Sequence, residues 1–256
     1  NVDITGAGGG STHDNYGIYL YNGGEVISTG TGAGAATITL NGIGGNGTDQ
    51  HYGVYLDGNG GATTYVTSID GAINITGQVG VSATGTANYG VYIYNGGFVQ
   101  STGTSAGTTG AVTLTGTGGS GTTNNVGLMF EGASTKVTTA DGNLLLKGAG
   151  GNGSSIANGG ICLSNGQINS TGSGLITVLG TASGASYGDG IYIVGNGAQI
   201  AAVNGNIDLE GAGSSTGGWN NGVNINGGGQ VISTGTATVT LHGTGRGTGG
   251  NTSNGI

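Results

Sequence analysis

The sequence predicts an all-β fold, a right-handed parallel β-helix (β-solenoid) of about seven coils with three short strands and 30–37 residues in each coil. A five-residue strand pattern ending in glycine occurs eight times, and a second strand that begins at glycine occurs seven times at nearly even spacing. No stretch has a helical period, and the repeat is too short for a crossover helix. Such repeats bury their apolar faces only by stacking as successive coils, and parallel connections are generally right-handed.

The first strand of each repeat, the C strand, has the form apolar–x–apolar–x–Gly. Alternation places its first and third residues on one face, and the pattern predicts that the shared glycine ends the strand. The copies are VDITG, ITLNG, INITG, VTLTG, LLLKG, ITVLG, IDLEG and VTLHG, which start at residues 2, 38, 73, 112, 144, 176, 207 and 239.

The second strand, the A strand, alternates in the same way and begins at a glycine. Its seven starts are Gly17, Gly53, Gly90, Gly127, Gly160, Gly190 and Gly222. The third, the B strand, reads EVIST, FVQST, KVTTA, QINST, QIAAV and QVIST, and its copy in the second repeat, residues 65–69, is less regular. The predicted core takes an apolar pair from each A strand, such as Val91 and Ile93, one residue from each B strand, such as Val99, and the C-strand pairs.

One domain is expected to cover residues 1–256, as a β-helix segment that belongs to a longer repeat array. The 66 glycines do not follow the Gly-X-Y period of collagen, and the regular β-branched positions argue against disorder. The single cysteine, Cys162, allows no internal disulfide.

The charge balance excludes two classes of partner. The chain has 3 basic and 11 acidic residues and a net charge of −8. Binding to phosphate backbones needs clustered Lys and Arg, as does a polybasic membrane contact, so we expect no nucleic-acid partner. No apolar run approaches the roughly 18–20 residues that span a bilayer, so we expect no membrane span in this segment.

Outward positions of the A strands are rich in tyrosine. We expect an exterior binding stripe of six tyrosines: Tyr19, Tyr21, Tyr55, Tyr92, Tyr94 and Tyr192. One interpretation is that stacked rings only stabilise the parallel sheet. The other is a contact surface for glycans, a partner protein or a neighbouring rod. Tyr16, Tyr52 and Tyr89 directly precede the A-strand glycine, and the pattern leaves their direction open.

Catalytic chemistry is not predicted, and no catalytic residue is assigned. Catalysis needs convergent titratable groups, whereas His13, His51 and His242 fall at unrelated positions. Asp57 and Glu131 share one column but lie two coils apart, about 9.6 Å. We therefore expect a protein that is not an enzyme.

The loops after the C strands and the outward threonines of the C strands bear on metal, cofactor and ice-binding sites. The glycine-rich loops after the C strands resemble calcium-binding nonapeptide repeats but lack their regular aspartates, so no metal site and no cofactor are predicted. The outward threonines of the C strands, such as Thr39 and Thr113, suggest an ice-binding surface as a weaker alternative, because Asn74 and Leu145 interrupt them.

The repeats YNGGxVxSTGTG and VTLTGTGGxG resemble those of very large bacterial surface proteins built from β-strand repeats, in the style of filamentous-haemagglutinin-like and autotransporter passenger domains. The resemblance covers essentially the whole chain, concerns repeat style, and carries no site residues. It implies export to the bacterial cell surface and a role as adhesin, stalk or sheath. Expected partners are other copies, end to end or side by side, or a surface glycan or host- or neighbour-cell ligand. The alternative is a β-helix protein that binds or degrades carbohydrate.

Overall fold

The described part of the chain is wound into a parallel β-helix. A computed structural model describes residues 1–10, 12–59, 61–104, 110–155, 157–184, 187–248 and 252–256. These residues form 22 strands in three sheets, in which all neighbouring strands are parallel. The chain passes through the C, A and B sheets once per coil, so the predicted fold class is confirmed. No helix that could cross a membrane is found in the described ranges.

The C sheet contains eight strands and the other two sheets contain seven each. The C strands are β1 (Val2–Ala7), β4 (Ile38–Ile43), β7 (Ile73–Gln78), β10 (Val112–Thr117), β13 (Leu144–Ala149), β16 (Ile176–Thr181), β19 (Ile207–Ala212) and β22 (Val239–Thr244). The A strands are β2 (Ile18–Tyr21), β5 (Val54–Asp57), β8 (Val91–Tyr94), β11 (Leu128–Glu131), β14 (Ile161–Ser164), β17 (Ile191–Val194) and β20 (Val223–Asn226). The B strands are β3 (Glu25–Ser28), β6 (Tyr65–Ser68), β9 (Phe98–Ser101), β12 (Lys136–Thr139), β15 (Gln167–Ser170), β18 (Gln199–Ala202) and β21 (Gln230–Ser233).

Equivalent residues of successive coils lie directly beside each other. In the A sheet Val54 pairs with Val91, which pairs with Leu128, and the same register holds along the sheet. The irregular B strand of the second coil, β6, also keeps this register, because Tyr65 pairs with Glu25 on one side and Phe98 on the other. The sequence repeat is therefore also the structural repeat.

A continuous aliphatic core fills the coils. The residues predicted for the third coil, Val91, Ile93 and Val99, have no exposed surface, and neither have Val112 and Leu114 of the following C strand. Each buried aliphatic side chain contributes on the order of 1.5–3 kcal/mol to the free energy of folding. A single coil cannot bury these side chains without its neighbours.

The C-strand glycine does not end its strand, contrary to the sequence prediction. Each C strand continues one residue further, as in β4, where Gly42 is buried and Ile43 follows it. Gly42 faces inward and packs on the A-strand glycine of the same coil, Gly53. A Cβ atom on Gly42 would overlap the Gly53 carbonyl oxygen and lie 2.6 Å from its carbonyl carbon. The sequence needs glycine here for backbone contact rather than for strand termination.

We call this contact the glycine corner, and it recurs in every coil. Its pairs are Gly6 with Gly17, Gly42 with Gly53, Gly77 with Gly90, Gly116 with Gly127, Gly148 with Gly160, Gly180 with Gly190, Gly211 with Gly222 and Gly243 with Gly255.

A buried amide ladder runs beside the glycine corner, in the loops between C and A strands. Asn88, Asn125 and Asn158 are fully or almost fully buried. The Asn88 side-chain amide donates to Oδ1 of Asn125 at 3.1 Å, and the Asn125 amide donates to Oδ1 of Asn158 at 2.8 Å. The ladder satisfies polar loop groups that would be costly to bury unpaired, and it fixes the loops that approach the outer face of the A sheet.

Candidate functional site

Two tyrosine ladders cover the first coils on the outer face of the A sheet. One consists of Tyr19, Tyr55 and Tyr92, whose successive rings stack at 5.0 Å. The other consists of Tyr16, Tyr52 and Tyr89, stacked at 5.0 and 5.3 Å, so the direction that the sequence left open is outward. Rings of the two ladders meet edge to face, for example Tyr52 and Tyr55 at 5.0 Å and 70°.

The second ladder covers part of the first, so the six predicted binding tyrosines are not equally accessible. Tyr55 and Tyr92 are only 8% exposed, contrary to the expected exterior stripe, because tyrosines of the preceding loops pack against them. Tyr19 and Tyr21 are exposed, and Tyr94 and Tyr192 are partly exposed. The structure therefore shows ring stacking in this region, and a binding role for its accessible tyrosines stays a prediction.

Carboxylates anchor the first ladder. The Tyr19 hydroxyl donates to Asp57 at 3.2 Å, and the Tyr92 hydroxyl donates to Oε2 of Glu131 at 2.7 Å. Burial, followed by the charge of Asp57, raises the pKa of Tyr19 to about 12. Burial and the bond to Glu131 raise the pKa of Tyr92 further above its usual value. These hydroxyls therefore remain protonated donors at physiological pH.

The ladders stop after the third coil, and a groove begins there. In the next two coils Val126 and Gly159 occupy the column of Tyr89, while Met129 and Cys162 occupy the column of Tyr92. These side chains rise less far above the sheet than tyrosine. Together with residues of the sixth and seventh coils they line a cavity of about 710 Å³.

An exposed aromatic pair borders the groove. Tyr187 and Trp219 each stand three residues before an A-strand glycine, and their rings stack at 6.2 Å and 8°. Both have positive φ, 56° and 61°, and both are about half exposed, at 52% and 44%. Ala87, Ala157 and Asn124 adopt the same left-handed conformation at equivalent positions, so the loop sets the backbone and the sequence places rings only beside the groove.

Amide groups hold a buried carboxylate in the groove. Asp189 is buried, and its Oδ1 accepts hydrogen bonds from the backbone and side-chain amides of Asn221 at 2.9 and 2.8 Å. Its Oδ2 accepts from the Asn224 side chain at 2.7 Å. Burial raises the pKa of Asp189, and these bonds partly oppose the rise. Both carboxylate oxygens of Asp189 accept hydrogen bonds from neighbouring amides. Asp189 therefore positions Asn221 and Asn224.

The Cys162 thiol in the groove is held in its protonated form. Burial, followed by the charges of Glu131 and Asp189, raises the pKa of the Cys162 thiol to about 12. The thiolate that nucleophilic or redox chemistry requires is therefore scarce near neutral pH. Among the described residues there is no group of three or more His, Cys, Asp and Glu that could hold a metal ion.

The sequence prediction identified only part of this groove. It placed Tyr192 in the exterior stripe and Glu131 in one column with Asp57, and the structure brings Tyr192 and Glu131 to the cavity. It missed Tyr187, Trp219 and Asp189, which belong to the preceding loops. A signal was present, because Tyr187 and Trp219 have the same offset from the next A-strand glycine.

Searches against protein-family models, curated proteins and solved structures find no match to this chain.

Proposed function

We propose that the chain is a structural and adhesive repeat module of a bacterial surface or filament protein, which acts outside the cell as a rigid rod or stalk. The observation that carries this proposal is the unbroken register of the three sheets, in which each coil repeats the position of the one before it. At about 4.8 Å per coil, seven coil-to-coil steps correspond to about 34 Å of rod.

The internal contacts support rigidity rather than a conformational cycle. Every coil adds core aliphatics and a glycine corner, and the amide ladder crosses several coils. Stability in such arrays is approximately a sum over neighbouring interfaces, so length and stability increase together. The cell-surface location and self-association, end to end or side by side, are proposed from repeat style alone.

The alternatives differ in how well the surface suits them. For ice binding, neighbouring outward residues of the C sheet are Thr39, Asn74, Thr113 and Leu145, so threonines recur only every second coil, about 9.6 Å apart. The groove favours carbohydrate binding. We propose no catalysis in it, because Asp189 is held by amides and the Cys162 thiol is protonated. Release of shortened products from glycans would contradict this.

A coil-insertion experiment tests the rod. The 70 residues from Gly90 to Gly159 make up two whole coils, and we propose to duplicate them in tandem. The register predicts a particle longer by about 9.6 Å with an unchanged cross-section in small-angle scattering, and with undiminished thermal stability. A matched control duplicates residues 90–142, about one and a half coils, and should lose order. Equal behaviour of the two insertions, or a rounder particle after the whole-coil insertion, would refute the rod.

A further inference from the structure

We propose that the groove on the outer face of the A sheet binds a neutral glycan, a short run of uncharged sugar residues that lies where the tyrosine ladders are interrupted. This inference gives the adhesive part of the proposed function a ligand class and rests on that part. It does not depend on the length or rigidity of the rod.

The gap in the tyrosine ladders is large enough for sugar rings. Tyrosine rings occupy each of the first three coils at spacings of 5.0–5.3 Å, and the next two coils carry none in these columns. The missing rings leave about 10 Å along the axis, at 4.8 Å per coil. The cavity of 710 Å³ lies within the usual range of about 300–1,000 Å³ for small-molecule sites and accommodates roughly two or three sugar residues.

The exposed aromatic pair supplies the apolar contact. Sugar rings have a C–H face that packs against an aromatic ring, and Tyr and Trp combine such a face with a polar edge. The Tyr187 backbone amide donates to the Gly218 carbonyl at 3.1 Å, so the loop that carries the ring is tied to the next coil. Tyr187 and Trp219 are exposed at the border of the cavity and do not belong to the aliphatic core inside the coils.

Polar groups of the groove suit hydroxyl-rich ligands. Tyr192 and Asn226 contact each other at 3.5 Å, and Asn226 and Asn224 contact each other at 3.4 Å. These bonds are long, so the three side chains can exchange them for shorter bonds to ligand hydroxyls. Amides both donate and accept, which matches the hydroxyl groups of a sugar.

Charge selects neutral over acidic sugars. Glu131 and Asp189 line the cavity, and no Lys or Arg is among the described residues around it. Uronic, sialic or sulfated sugars would meet two carboxylates and a chain of net charge −8 without a compensating cation. A neutral glycan avoids this repulsion and still has hydroxyl donors for Glu131.

The test is a glycan array with immobilised neutral oligosaccharides of glucose, galactose, mannose and N-acetylglucosamine beside sialylated, uronic and sulfated ones. We expect binding to neutral glycans, and at least a tenfold loss of affinity in Trp219→Ala and in Tyr187→Ala. The matched control is Tyr65→Ala, a partly exposed tyrosine that stacks on Phe98 on the B sheet, away from the groove, and this variant should bind as the wild type does. Trp219 is the only tryptophan, so its fluorescence in solution should change when the strongest array ligand is titrated.

Three outcomes would overturn the inference: no neutral glycan binds, acidic glycans bind better, or Trp219→Ala and Tyr187→Ala bind as the wild type does. Circular dichroism of each variant establishes that it is folded, which is expected because both rings are exposed. Failure here with a normal result in the coil-insertion experiment removes the glycan site alone, whereas failure of the insertion experiment removes the rod.

Discussion

Replacing Gly116 by alanine is expected to destabilise the β-helix, because Gly116 belongs to a glycine corner. A Cβ atom at this position would overlap the carbonyl oxygen of Gly127. It would also lie 2.6 Å from that residue's carbonyl carbon and 2.6 Å from Cδ2 of Leu128. The leucine side chain has room for small rotations, but the Gly127 backbone is fixed by the hydrogen bond from its amide to the Gly159 carbonyl at 3.2 Å.

The expected magnitude follows from two opposing terms. Adding atoms to a packed interior costs about 1–3 kcal/mol, and the upper end applies when backbone must move. Alanine also restricts the unfolded chain, which returns about 0.4–1 kcal/mol. We therefore expect Gly116→Ala to lower the free energy of unfolding by about 2 kcal/mol.

Urea denaturation followed by far-ultraviolet circular dichroism measures this change. The control is Gly34→Ala in an exposed turn, where an added Cβ would meet no atom within 4 Å. That variant should gain up to about 1 kcal/mol through the unfolded state. If Gly116→Ala unfolds at the same urea concentration as Gly34→Ala, the glycine corner is not a steric requirement and our reading of the repeated glycine is wrong.

Three further predictions concern Asn125, His51 and Cys162. Asn125→Ala removes two hydrogen bonds of the amide ladder and should lower the free energy of unfolding by about 2–4 kcal/mol in urea denaturation. The exposed control Asn41→Ala should change this free energy by no more than about 0.5 kcal/mol. Equal effects of the two substitutions would refute a stabilising role of the ladder. Burial lowers the pKa of His51 below its usual 6.5, against the opposing charges of Asp14 and Asp49, and its Nδ1 accepts from the Asn15 amide. The unfolded chain therefore binds the proton more readily, so stability should be full above about pH 6.5 and fall as the pH drops below that value, and His51→Asn should flatten this slope in thermal melts. Iodoacetamide at pH 8 should modify Cys162 slowly in the folded protein and rapidly in urea by mass spectrometry, and equal rates would contradict a pKa near 12.

The fold could be predicted from the sequence because its two signals are strictly local. Period-two alternation identifies which residues of a strand face inward, and the fixed offset between glycines identifies where each coil begins. Alternation assigns Val91 and Ile93 to the core, and both residues are fully buried. The same logic misread Gly42 as a strand end, because a strand pattern contains no information about the backbone that packs against it.

The outer surface could be predicted only in part. Alternation correctly places Tyr55 and Tyr92 outside the aliphatic core, but their exposure depends on Tyr52 and Tyr89 in loops without a period. The groove is harder to predict, because it forms where tyrosine rings are absent from the two columns. Gly159, which occupies the column of Tyr89 and has no side chain, is the clearest case. The amide ladder was invisible for a related reason, because Asn88 and Asn125 occupy a loop position where asparagine is also a common surface residue.

The parallel register also determines how the module responds to tension. Hydrogen bonds between coils run along the axis, so a force applied to the two ends of the helix acts on the bonds between all coils at once, and a terminal coil, which pairs with only one neighbour, separates first. Each released coil frees 30–37 residues, which extend to about 100–130 Å of chain in place of about 4.8 Å of folded rise. A chain of such coils would therefore lengthen in uniform steps under load and dissipate energy at each step, a property suited to a tether between surfaces that are pulled apart.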